Sequence, residues 1–349
     1  MNLEALKETA RALVAPGKGV LAADESTPTM AKRLAAVGLE STEPRRRRYR
    51  EILFTTDGLS EHIGGVILFD ETARQQDVDG VPFPDLLQSR GIVPGIKVDR
   101  GTRPLAGFPG ELATQGLDGL RERLEEYAAL GLRFAKWRAV IHIADGLPTN
   151  ACLEVNAHEL ARYAALSQEA GLTPIVEPEV LMDGPHDLET CADVTERVLR
   201  EVYEQLSRQR VTLEASLLKP NMVLPGTESE SAVSDGEIAR ATLEVLRRAV
   251  PAAVPGILFL SGGQSDEQAT ARLDAINRLG PQPWELSFSF GRALQAPVLK
   301  AWAGEDSNRS GAQAALLKRA GLNGAARRAR YTAELERSVR VGAATAAHH

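Results

Sequence analysis

The amino-acid sequence predicts an α/β protein whose eight strands close into a single (β/α)8 TIM barrel. Three observations support this fold: eight short apolar or β-branched runs recur, amphipathic segments separate them, and no dinucleotide fingerprint follows the first run. Strands that alternate with helices form a parallel sheet covered by helices, and eight of them can close into a ring. The first run continues as DESTPTMAKR instead of G-x-G-x-x-G, which favours the closed barrel over an open, doubly wound sheet.

The predicted elements follow one another regularly along the chain. The segment MNLEALKETARALVAPGKG predicts an amphipathic helix in front of the first strand. The clearest helices between strands are 120–131, 156–171 and 193–209, and Gly131 and Gly171 mark the ends of the first two. In chain order, the eight predicted strands are 19–24, 64–70, 95–99, 133–141, 173–180, 213–220, 256–263 and 286–293.

The whole chain, 1–349, is predicted to form one barrel domain. Its length exceeds that of a minimal barrel, but such barrels commonly carry insertions and extensions. The chain beyond about residue 300 is therefore expected to form an additional C-terminal helical segment. The small and polar stretch 340–349 is expected to be a mobile tail.

The balance of charge indicates which partners the protein does not have. A net charge of −6 argues against nucleic acid as the main partner. The exception is the basic run RRRRYR (45–50), which follows a helix-start signal with Thr42 as the cap and Pro44 in the first turn. We interpret this run as the solvated face of an amphipathic helix and not as a nucleic-acid patch.

Cysteine usage and hydropathy indicate the compartment. Cys152 and Cys191 fit neither a metal spacing nor a disulfide framework, which favours a reducing cytosol. The N-terminal helix lacks an apolar core of signal-peptide length, and no stretch approaches the ~18 apolar residues that a membrane helix needs. The sequence therefore predicts a cytoplasmic protein that has no membrane partner.

The lysines are few and unusually placed. Only eight of the 41 basic residues are lysine, yet Lys97, Lys136 and Lys219 lie in or at the end of predicted strands three, four and six. A lysine can lose its proton and become a nucleophile, whereas an arginine cannot. A single lysine at a strand end is usually a snorkelling residue, but the repetition at the same end of several strands favours a functional site.

Acidic residues occupy the same strand ends as these lysines. In a barrel the carboxyl ends of all strands meet on one open face, where active sites lie. Lys136 and Arg138 share one face of their strand because side chains alternate along a strand. The acids at these ends are Asp24, Glu25, Asp70, Asp99, Glu177 and Glu179.

Two loops with glycine predict a phosphate site. LSGGQS follows strand seven with Ser261, Gly262 and Gly263, and SFGRAL follows strand eight with Gly291 and Arg292. Barrels often bind phosphate in these two loops, through backbone N–H groups at a helix N-terminus. A second anion site is possible after strand one, where a solvated helix face is an equally good interpretation; its candidates are Ser26, Lys32 and Arg33.

Ten motifs in order resemble the class I, Schiff-base-forming fructose-1,6-bisphosphate aldolases. They are APGKGVLAADEST, GGVILFDET, GIKVDRG, PLAG, TQGLDGL, FAKWR, PIVEPE, LLKPNMV, FLSGGQS and GRALQA. The resemblance as a whole extends from about residue 3 to residue 303. The resemblance implies a (β/α)8 barrel that is usually a homotetramer. It also implies reversible cleavage of a bisphosphorylated sugar in glycolysis and gluconeogenesis, without a metal or other cofactor.

The resemblance also implies a role for each matched side chain. Lys219 of LLKPN matches the lysine that forms the Schiff base, and Glu177 of VEPE matches the general acid/base. The other matches to catalytic-site residues are Asp24, Lys136 and Glu179. The matches to residues that line the site or bind the two phosphates are Ser26, Arg33, Lys97, Arg138, Ser261, Gly262, Gly263, Ser289, Gly291 and Arg292. Three departures are Phe290, where animal members have a tyrosine, Pro28, which replaces a glycine, and the terminal His348-His349, where animal members have a tyrosine that tunes activity.

The implied chemistry needs an unprotonated amine on Lys219. We expect partial burial and the positive charge of Lys136 to favour that neutral form. Three alternatives stay open: a zinc-dependent aldolase, another Schiff-base barrel lyase, and a barrel that binds without catalysis. None of the six histidines forms a ligand pair at a strand end, which disfavours zinc. The complete lysine and acid set disfavours a mere scaffold, and a second phosphate site favours a bisphosphate substrate.

Overall fold

The computed structural model describes residues 2–341, in which the eight predicted strands form one closed parallel barrel. Each strand pairs with the next one along the chain, and the last pairs with the first. The predicted fold class is therefore confirmed. In chain order, the barrel strands are β1 (Gly19–Ala23), β2 (Ile63–Leu68), β3 (Val93–Lys97), β4 (Phe134–Ile141), β5 (Thr173–Val180), β6 (Leu217–Leu218), β7 (Gly256–Phe259) and β8 (Glu285–Phe290).

At least one helix follows every strand, and one more precedes the barrel. In chain order, the helices are α1 (Leu3–Leu13), α2 (Thr27–Ala35), α3 (Glu43–Phe54), α4 (Asp70–Ala73), α5 (Phe83–Ser89), α6 (Leu120–Ala129), α7 (Asn150–Glu169), α8 (Leu188–Arg208), α9 (Asp235–Ala249), α10 (Asp266–Arg278), α11 (Arg292–Trp302), α12 (Arg309–Arg327) and α13 (Ala333–Val341). Among the described residues, none of these helices is long and apolar enough to cross a membrane.

Helix α7 begins earlier than its periodicity predicts because a side chain caps it. Thr149 precedes the helix in extended conformation, and its Oγ1 accepts a hydrogen bond from the backbone N–H of Cys152 at 3.2 Å. The cap is held in turn by the buried carboxylate of Glu111, whose two oxygens accept from the backbone and hydroxyl of Thr149. Helical periodicity does not reveal the cap of Thr149, and the support from Glu111 comes from a distant segment.

Helix α1 closes the amino end of the barrel. Its residues Ala10 and Leu13, and Val14 directly after it, pack with the apolar side chains that fill the barrel interior. The approach to the sheet is so close that a Cβ on Gly256, the first residue of β7, would lie 2.7 Å from Val14 Cγ1. Only glycine permits such an approach without displacing the helix. Because this end is filled, the open end of the barrel is the one formed by the carboxyl ends of the strands.

The C-terminal segment braces the same closed end. Arg327 of α12 is buried, and its guanidinium donates hydrogen bonds to the backbone carbonyls of Val14, Ala15 and Lys18. It also forms an ion pair of 2.6 Å with Glu285 at the start of β8. The predicted C-terminal helical segment is thus packed onto the barrel. Helix α13 includes residues 340 and 341 of the predicted tail, and the remainder of that tail lies outside the described residues.

The basic run 45–50 lies in a helix, α3, with Thr42 as the predicted cap, but the interpretation as a solvated face is wrong. Three of its arginines pair with carboxylates: Arg46 pairs with Glu71 of α4 at 2.6 Å, and Arg47 and Arg48 pair with Glu51 of α3 itself. Arg50 at the end of the run is only 2% exposed. The partners of Arg46 and Arg50 come from distant segments, so the sequence pattern of α3 alone could not reveal these two ion pairs.

Candidate active site

The carboxyl ends of the strands surround a cleft of about 970 Å³. Of the candidates named from the sequence for the site, Lys32 is not among the residues that line this cleft, whereas all the others line it. Their places are the loop and helix after β1 (Asp24, Ser26, Arg33), the end of β3 (Lys97), β4 (Lys136, Arg138), β5 (Glu177, Glu179), the residue after β6 (Lys219), the loop after β7 (Ser261, Gly262, Gly263), and β8 with the start of α11 (Ser289, Gly291, Arg292). Distant parts of the chain thus converge because parallel strands end on one face.

Lys219 lies where strand β6 leaves the barrel. Its backbone N–H donates to the carbonyl of Val176 at 2.8 Å and so extends the ladder one residue beyond the strand. Pro220 has no N–H to donate, but its carbonyl accepts from Leu260 at 3.0 Å. The side chain of the lysine is buried, with only 5% of it exposed. The proline therefore ends the strand at the point where the amine enters the cleft.

One carboxylate joins the two buried lysines of the cleft. Oε1 of Glu177 lies 2.9 Å from Nζ of Lys219, and Oε2 lies 2.9 Å from Nζ of Lys136. Nζ of Lys136 also lies 2.8 Å from Oδ2 of Asp24, which comes from the opposite side of the barrel. The four side chains form a continuous row of alternating charge, Lys219–Glu177–Lys136–Asp24, hereafter the charge row. Neighbouring groups are close enough to exchange a proton.

The charges of the row set the protonation states of its members. Burial would raise the pKa of Glu177, but the charges of Lys136, Lys219 and Arg138 outweigh burial and hold it below its usual range. Burial is likewise outweighed at Asp24, whose pKa is also lowered. Burial would lower the pKa of Lys136, yet the carboxylates of Asp24 and Glu177 keep it raised. Lys136 is therefore a permanent cation and Glu177 a carboxylate at neutral pH.

This geometry changes how Lys219 relates to Lys136. The sequence led us to expect the positive charge of Lys136 to act directly on the amine of Lys219. Instead, the carboxylate of Glu177 lies between the two lysines and contacts both at 2.9 Å. The carboxylate of Glu177, and not the ammonium of Lys136, is therefore the charged group in direct contact with the amine of Lys219.

A second pair of cations surrounds the charge row. Arg138 binds Glu179 through its Nε, and this carboxylate keeps the pKa of Arg138 raised against the opposing effect of burial. Lys97 lies 2.6 Å from Oδ1 of Asp99, whose Oδ2 accepts from the backbone N–H of Arg138 at 3.2 Å. Asp99 was noted as the acid that ends strand three but not assigned to the site. The available signal was its position, because Asp99 ends its predicted strand as Asp24 does.

The loops after β7 and β8 present backbone groups to the cleft. Gly263 has a φ of +72°, and a Cβ there would lie 2.7 Å from the Cβ of Met182. A Cβ on Gly291, which precedes α11, would lie 3.3 Å from the carbonyl oxygen of Ala22. Glycine is thus required by conformation at the first position and fits a tight space at the second. Backbone N–H groups that no side chain covers, beside helix N-termini, are suited to bind an anion.

Side chains complete the anion-binding character of this part of the cleft. Ser289 is buried, and its Oγ has no hydrogen-bond partner within residues 2–341. Arg292 at the start of α11 is exposed, with Nη2 donating to the carbonyl of Gln264 at 2.9 Å. A phosphate oxygen is a suitable acceptor for both.

Ser26 and Arg33 form the opposite wall, together with Thr29, which sequence reasoning missed, and Glu25, which was noted as an acid at the end of strand one but not assigned to the site. Ser26 precedes α2 without capping it, and its hydroxyl lies 3.1 Å from that of Thr29. Arg33 forms an ion pair with Glu25. The available signals were that Thr29 stands one helical turn after Ser26, and that Glu25 directly follows Asp24.

The arrangement of metal-ligating side chains bears on which chemistry the cleft can support. Among residues 2–341, no three histidine, cysteine, aspartate or glutamate side chains are arranged to hold a metal ion. His348 and His349 lie outside the described residues. The chemistry available from the described cleft is that of its lysines and carboxylates.

The closed barrel, the charge row on its open face and the glycine loops after β7 and β8 define a (β/α)8-barrel enzyme with lysine-based chemistry. The chain matches the family model described as "Glycolytic: Fructose-bisphosphate aldolase class-I" over residues 5–348. It therefore belongs to the class I fructose-bisphosphate aldolase family, as its motifs predicted.

Individual relatives agree with this assignment. The chain is 57% identical over 327 residues to a probable fructose-bisphosphate aldolase class 1 of Xanthomonas axonopodis pv. citri (strain 306), covering 93% of this chain and 98% of the relative. It is 54% identical over 328 residues to fructose-bisphosphate aldolase C of Rattus norvegicus, covering 93% and 90%. A solved structure of the Plasmodium falciparum aldolase, in complex with TRAP and a small-molecule inhibitor, matches with a TM-score of 0.93 at 49% identity and covers 95% and 96% of the two chains.

Proposed function

We propose that this chain cleaves fructose 1,6-bisphosphate reversibly into dihydroxyacetone phosphate and glyceraldehyde 3-phosphate through a Schiff base on Lys219. The observation that carries the proposal is the charge row, in which a buried amine lies 2.9 Å from a carboxylate at the floor of the cleft. Membership of the class I family supports the same reaction. An amine, an adjacent proton acceptor and a permanent cation are the groups that such a reaction needs.

The first step joins the substrate to the enzyme. Glu177 accepts a proton from Lys219, and the neutral amine attacks the C2 carbonyl of the open-chain sugar to give a carbinolamine. The protonated Glu177 then returns its proton to the departing hydroxyl, so that water leaves and an iminium ion forms. The charge of Lys136, 2.9 Å from the same carboxylate, favours the ionised form to which Glu177 returns.

The second step breaks the carbon–carbon bond. A carboxylate, Glu177 or Asp24, removes the proton of the C4 hydroxyl, and the electrons of the C3–C4 bond move into the iminium ion. Glyceraldehyde 3-phosphate leaves, and an enamine stays on Lys219. Protonation of the enamine at C3 and addition of water to the resulting iminium release dihydroxyacetone phosphate and the free amine. The cationic nitrogen is the electron sink that makes this cleavage feasible.

The phosphates of the substrate are proposed to hold it across the row. The loops after β7 and β8 would bind one phosphate through backbone N–H groups and Arg292, while Ser26, Arg33 and Lys97 would bind near the other. Binding at both ends fixes the ketone carbon near the amine, which removes much of the entropic cost of the reaction. The residues assigned to the first phosphate are Ser261, Gly262, Gly263, Ser289, Gly291 and Arg292.

Three further proposals rest on the family alone. We expect a homotetramer, located in the cytoplasm and acting in glycolysis and gluconeogenesis. Light scattering of the purified protein in line with size-exclusion chromatography measures the first directly: a molar mass of one or two chains would contradict it.

Covalent trapping tests the proposed mechanism. Borohydride added together with dihydroxyacetone phosphate is expected to reduce the Schiff base to a stable secondary amine, which peptide mass spectrometry should locate at Lys219. Lys219→Arg keeps the charge but cannot form the adduct, and it serves as the control. An active enzyme without an adduct on Lys219 would overturn the proposal. Rates on fructose 1,6-bisphosphate and fructose 1-phosphate, measured in parallel, then show which sugar is preferred.

A further inference from the structure

Glu25 is the centre of a buried cluster beside the charge row. Within residues 2–341, its carboxylate is held by three side chains from three different helices. Oε1 accepts from Arg33 of α2 and from Nε2 of Gln295 of α11 at 2.8 Å, while Oε2 accepts from Nη2 of Arg50 of α3 at 2.6 Å. Asp24, the preceding residue, points instead to Lys136. Two adjacent acids therefore serve two separate networks.

Arg50 belongs to this cluster but does not line the cleft. It is 2% exposed, and its Nη1 donates to Oε1 of Gln295 at 3.2 Å, so that it spans Glu25 and Gln295. Gln295 is fully buried and donates a further hydrogen bond to the carbonyl of Ala22 at 2.7 Å. Within the described part of the chain, neither Arg50 nor Gln295 is among the cleft residues. Any effect of Arg50 on a bound substrate is therefore indirect.

Arg33 is the member of the cluster that faces the cleft. Its side chain is 26% exposed, compared with 3% for Arg50. A Cβ on Gly291 would lie 3.8 Å from Nη2 of Arg33, so one end of this guanidinium borders the loop that precedes α11. The other end, Nη1, is bound to Glu25. One arginine thus bridges a buried carboxylate and the open cleft, where it borders the loop assigned to the first phosphate.

The charge of the cluster explains why two arginines are present. Glu25 supplies one negative charge, and Arg33 and Arg50 supply two positive charges. If Arg33 were the only partner, its charge would be neutralised by Glu25 and little attraction for an anion would be left. Because Arg50 compensates the carboxylate from the buried side, the cluster keeps a net positive charge at its exposed side. At the low effective dielectric of a buried cluster, the presence or absence of the Arg50 charge makes a large difference to the attraction for an anion.

We propose that Arg50 is a positioning residue that determines phosphate affinity: by neutralising Glu25, it leaves the charge of Arg33 available to a phosphate group of the substrate. The inference rests on the proposed function for the identity of the substrate. The charge balance itself does not depend on that function, because it would affect the binding of any phosphate-bearing ligand in the cleft.

Variants that remove charges from the cluster of Glu25, Arg33 and Arg50 test this proposal. Arg50→Met leaves Glu25 paired with Arg33 alone, and we expect the KM for fructose 1,6-bisphosphate to rise about tenfold, the effect of losing one charge-assisted contact. The double variant E25Q/R50M removes both buried charges, so Arg33 regains its net charge and the KM is expected to return to near the wild-type value. Failure of the double variant to recover, when it melts at the wild-type temperature, would overturn the proposal.

A matched control separates this effect from general destabilisation. Arg327→Met also removes a buried arginine that is paired with a carboxylate, but at the closed end of the barrel. It is expected to lower the melting temperature without raising the KM. An equal rise in KM in this control would contradict a role specific to Arg50.

Inhibition by inorganic phosphate provides a readout that does not need Arg50→Met to fold. Glu25→Gln leaves two arginines uncompensated and is expected to bind phosphate more tightly than the wild type, whereas weaker binding would contradict the charge balance. Phosphate binding measured by calorimetry remains informative even if the wild type does not cleave the bisphosphate. In that event the proposed function fails, and the inference about Arg50 is still decided by the order of the phosphate affinities.

Discussion

Lys219 and Glu177 form the central contact of the cleft, with Nζ of the lysine 2.9 Å from Oε1 of the carboxylate. The other oxygen of Glu177 is 2.9 Å from Lys136, so the carboxylate touches the proposed nucleophile and a permanent cation at once. A carboxylate in this position can hold a proton from the amine only transiently, because the positive charge of Lys136 favours the ionised form of Glu177.

The first prediction concerns this carboxylate. Glu177→Gln keeps the shape and hydrogen-bonding capacity of the side chain but cannot carry a proton between substrate and amine. We expect kcat to fall by about 10²–10⁴, the usual contribution of a general acid/base, in a steady-state cleavage assay. Slow borohydride trapping at Lys219 should persist, because the nucleophile is still present. A kcat within a few-fold of the wild type would show that another group moves the proton.

The second prediction concerns metal dependence. A class I mechanism uses the iminium ion as its electron sink, so cleavage is expected to continue at the full rate after dialysis against excess EDTA. The assay with and without EDTA, and with zinc restored, measures this directly. Loss of activity in EDTA that zinc restores would favour a zinc-dependent aldolase instead.

The third prediction concerns the loop after β7. Gly263→Ala places a side chain at a φ of +72° and within 2.7 Å of Met182 Cβ, so the loop must move away from its present position. We expect the KM for the bisphosphate to rise and the free energy of unfolding to fall. Gly38→Ala is the matched control, since Gly38 has a φ of +76° with nothing within 4 Å of its Cβ position.

For the control we expect only the strain of a left-handed residue, about 1–2 kcal/mol in urea denaturation, and an unchanged KM. If both alanine variants raise the KM equally, the loop after β7 has no special role in binding.

The fourth prediction concerns stability and pH. Burial raises the pKa of Glu159 on α7 to about 7, against a hydrogen bond from the backbone N–H of Thr114 that opposes this rise. Its ordinary value is 4.5, so between pH 4.5 and 7 the folded state binds more protons than the unfolded state. The stability contributed by this group is therefore present at low pH and is lost as the pH rises through 7.

Glu159→Gln removes this loss, because an amide does not ionise and its oxygen can still accept from Thr114. We expect the variant to gain about 1–2 kcal/mol over the wild type at pH 8, after solvent screening reduces the full value of the shift. At pH 4.5 the two proteins should be nearly equal. Glu154→Gln, which changes an exposed residue of the same helix, is the control; a similar gain there would remove burial as the cause.

Most of the barrel was predictable from the sequence because its signals are local. Each apolar run followed by a turn and a periodic helix reports on its own segment, and the convergence of strand ends follows from the topology. The boundaries were less accurate. Strand six, predicted at 213–220, pairs as strand only at Leu217–Leu218, since residues Leu213–Ala215 form a 3-10 turn. The antiparallel hairpin of Thr102–Pro104 with Leu112–Thr114, between β3 and α6, was not predicted at all.

The placing of lysines at strand ends was also visible in the sequence, and it pointed to Lys219 before any relative was considered. The sequence by itself determined that amines, acids and bare glycine backbone would meet on one face. Only the tertiary structure decided which charges touch: that Glu177 lies between Lys219 and Lys136, and that Arg50 compensates Glu25 from the buried side. The reason is physical. Secondary structure follows from the pattern of neighbouring residues, whereas an ion pair depends on ångström distances between side chains that the chain separates and only packing brings together.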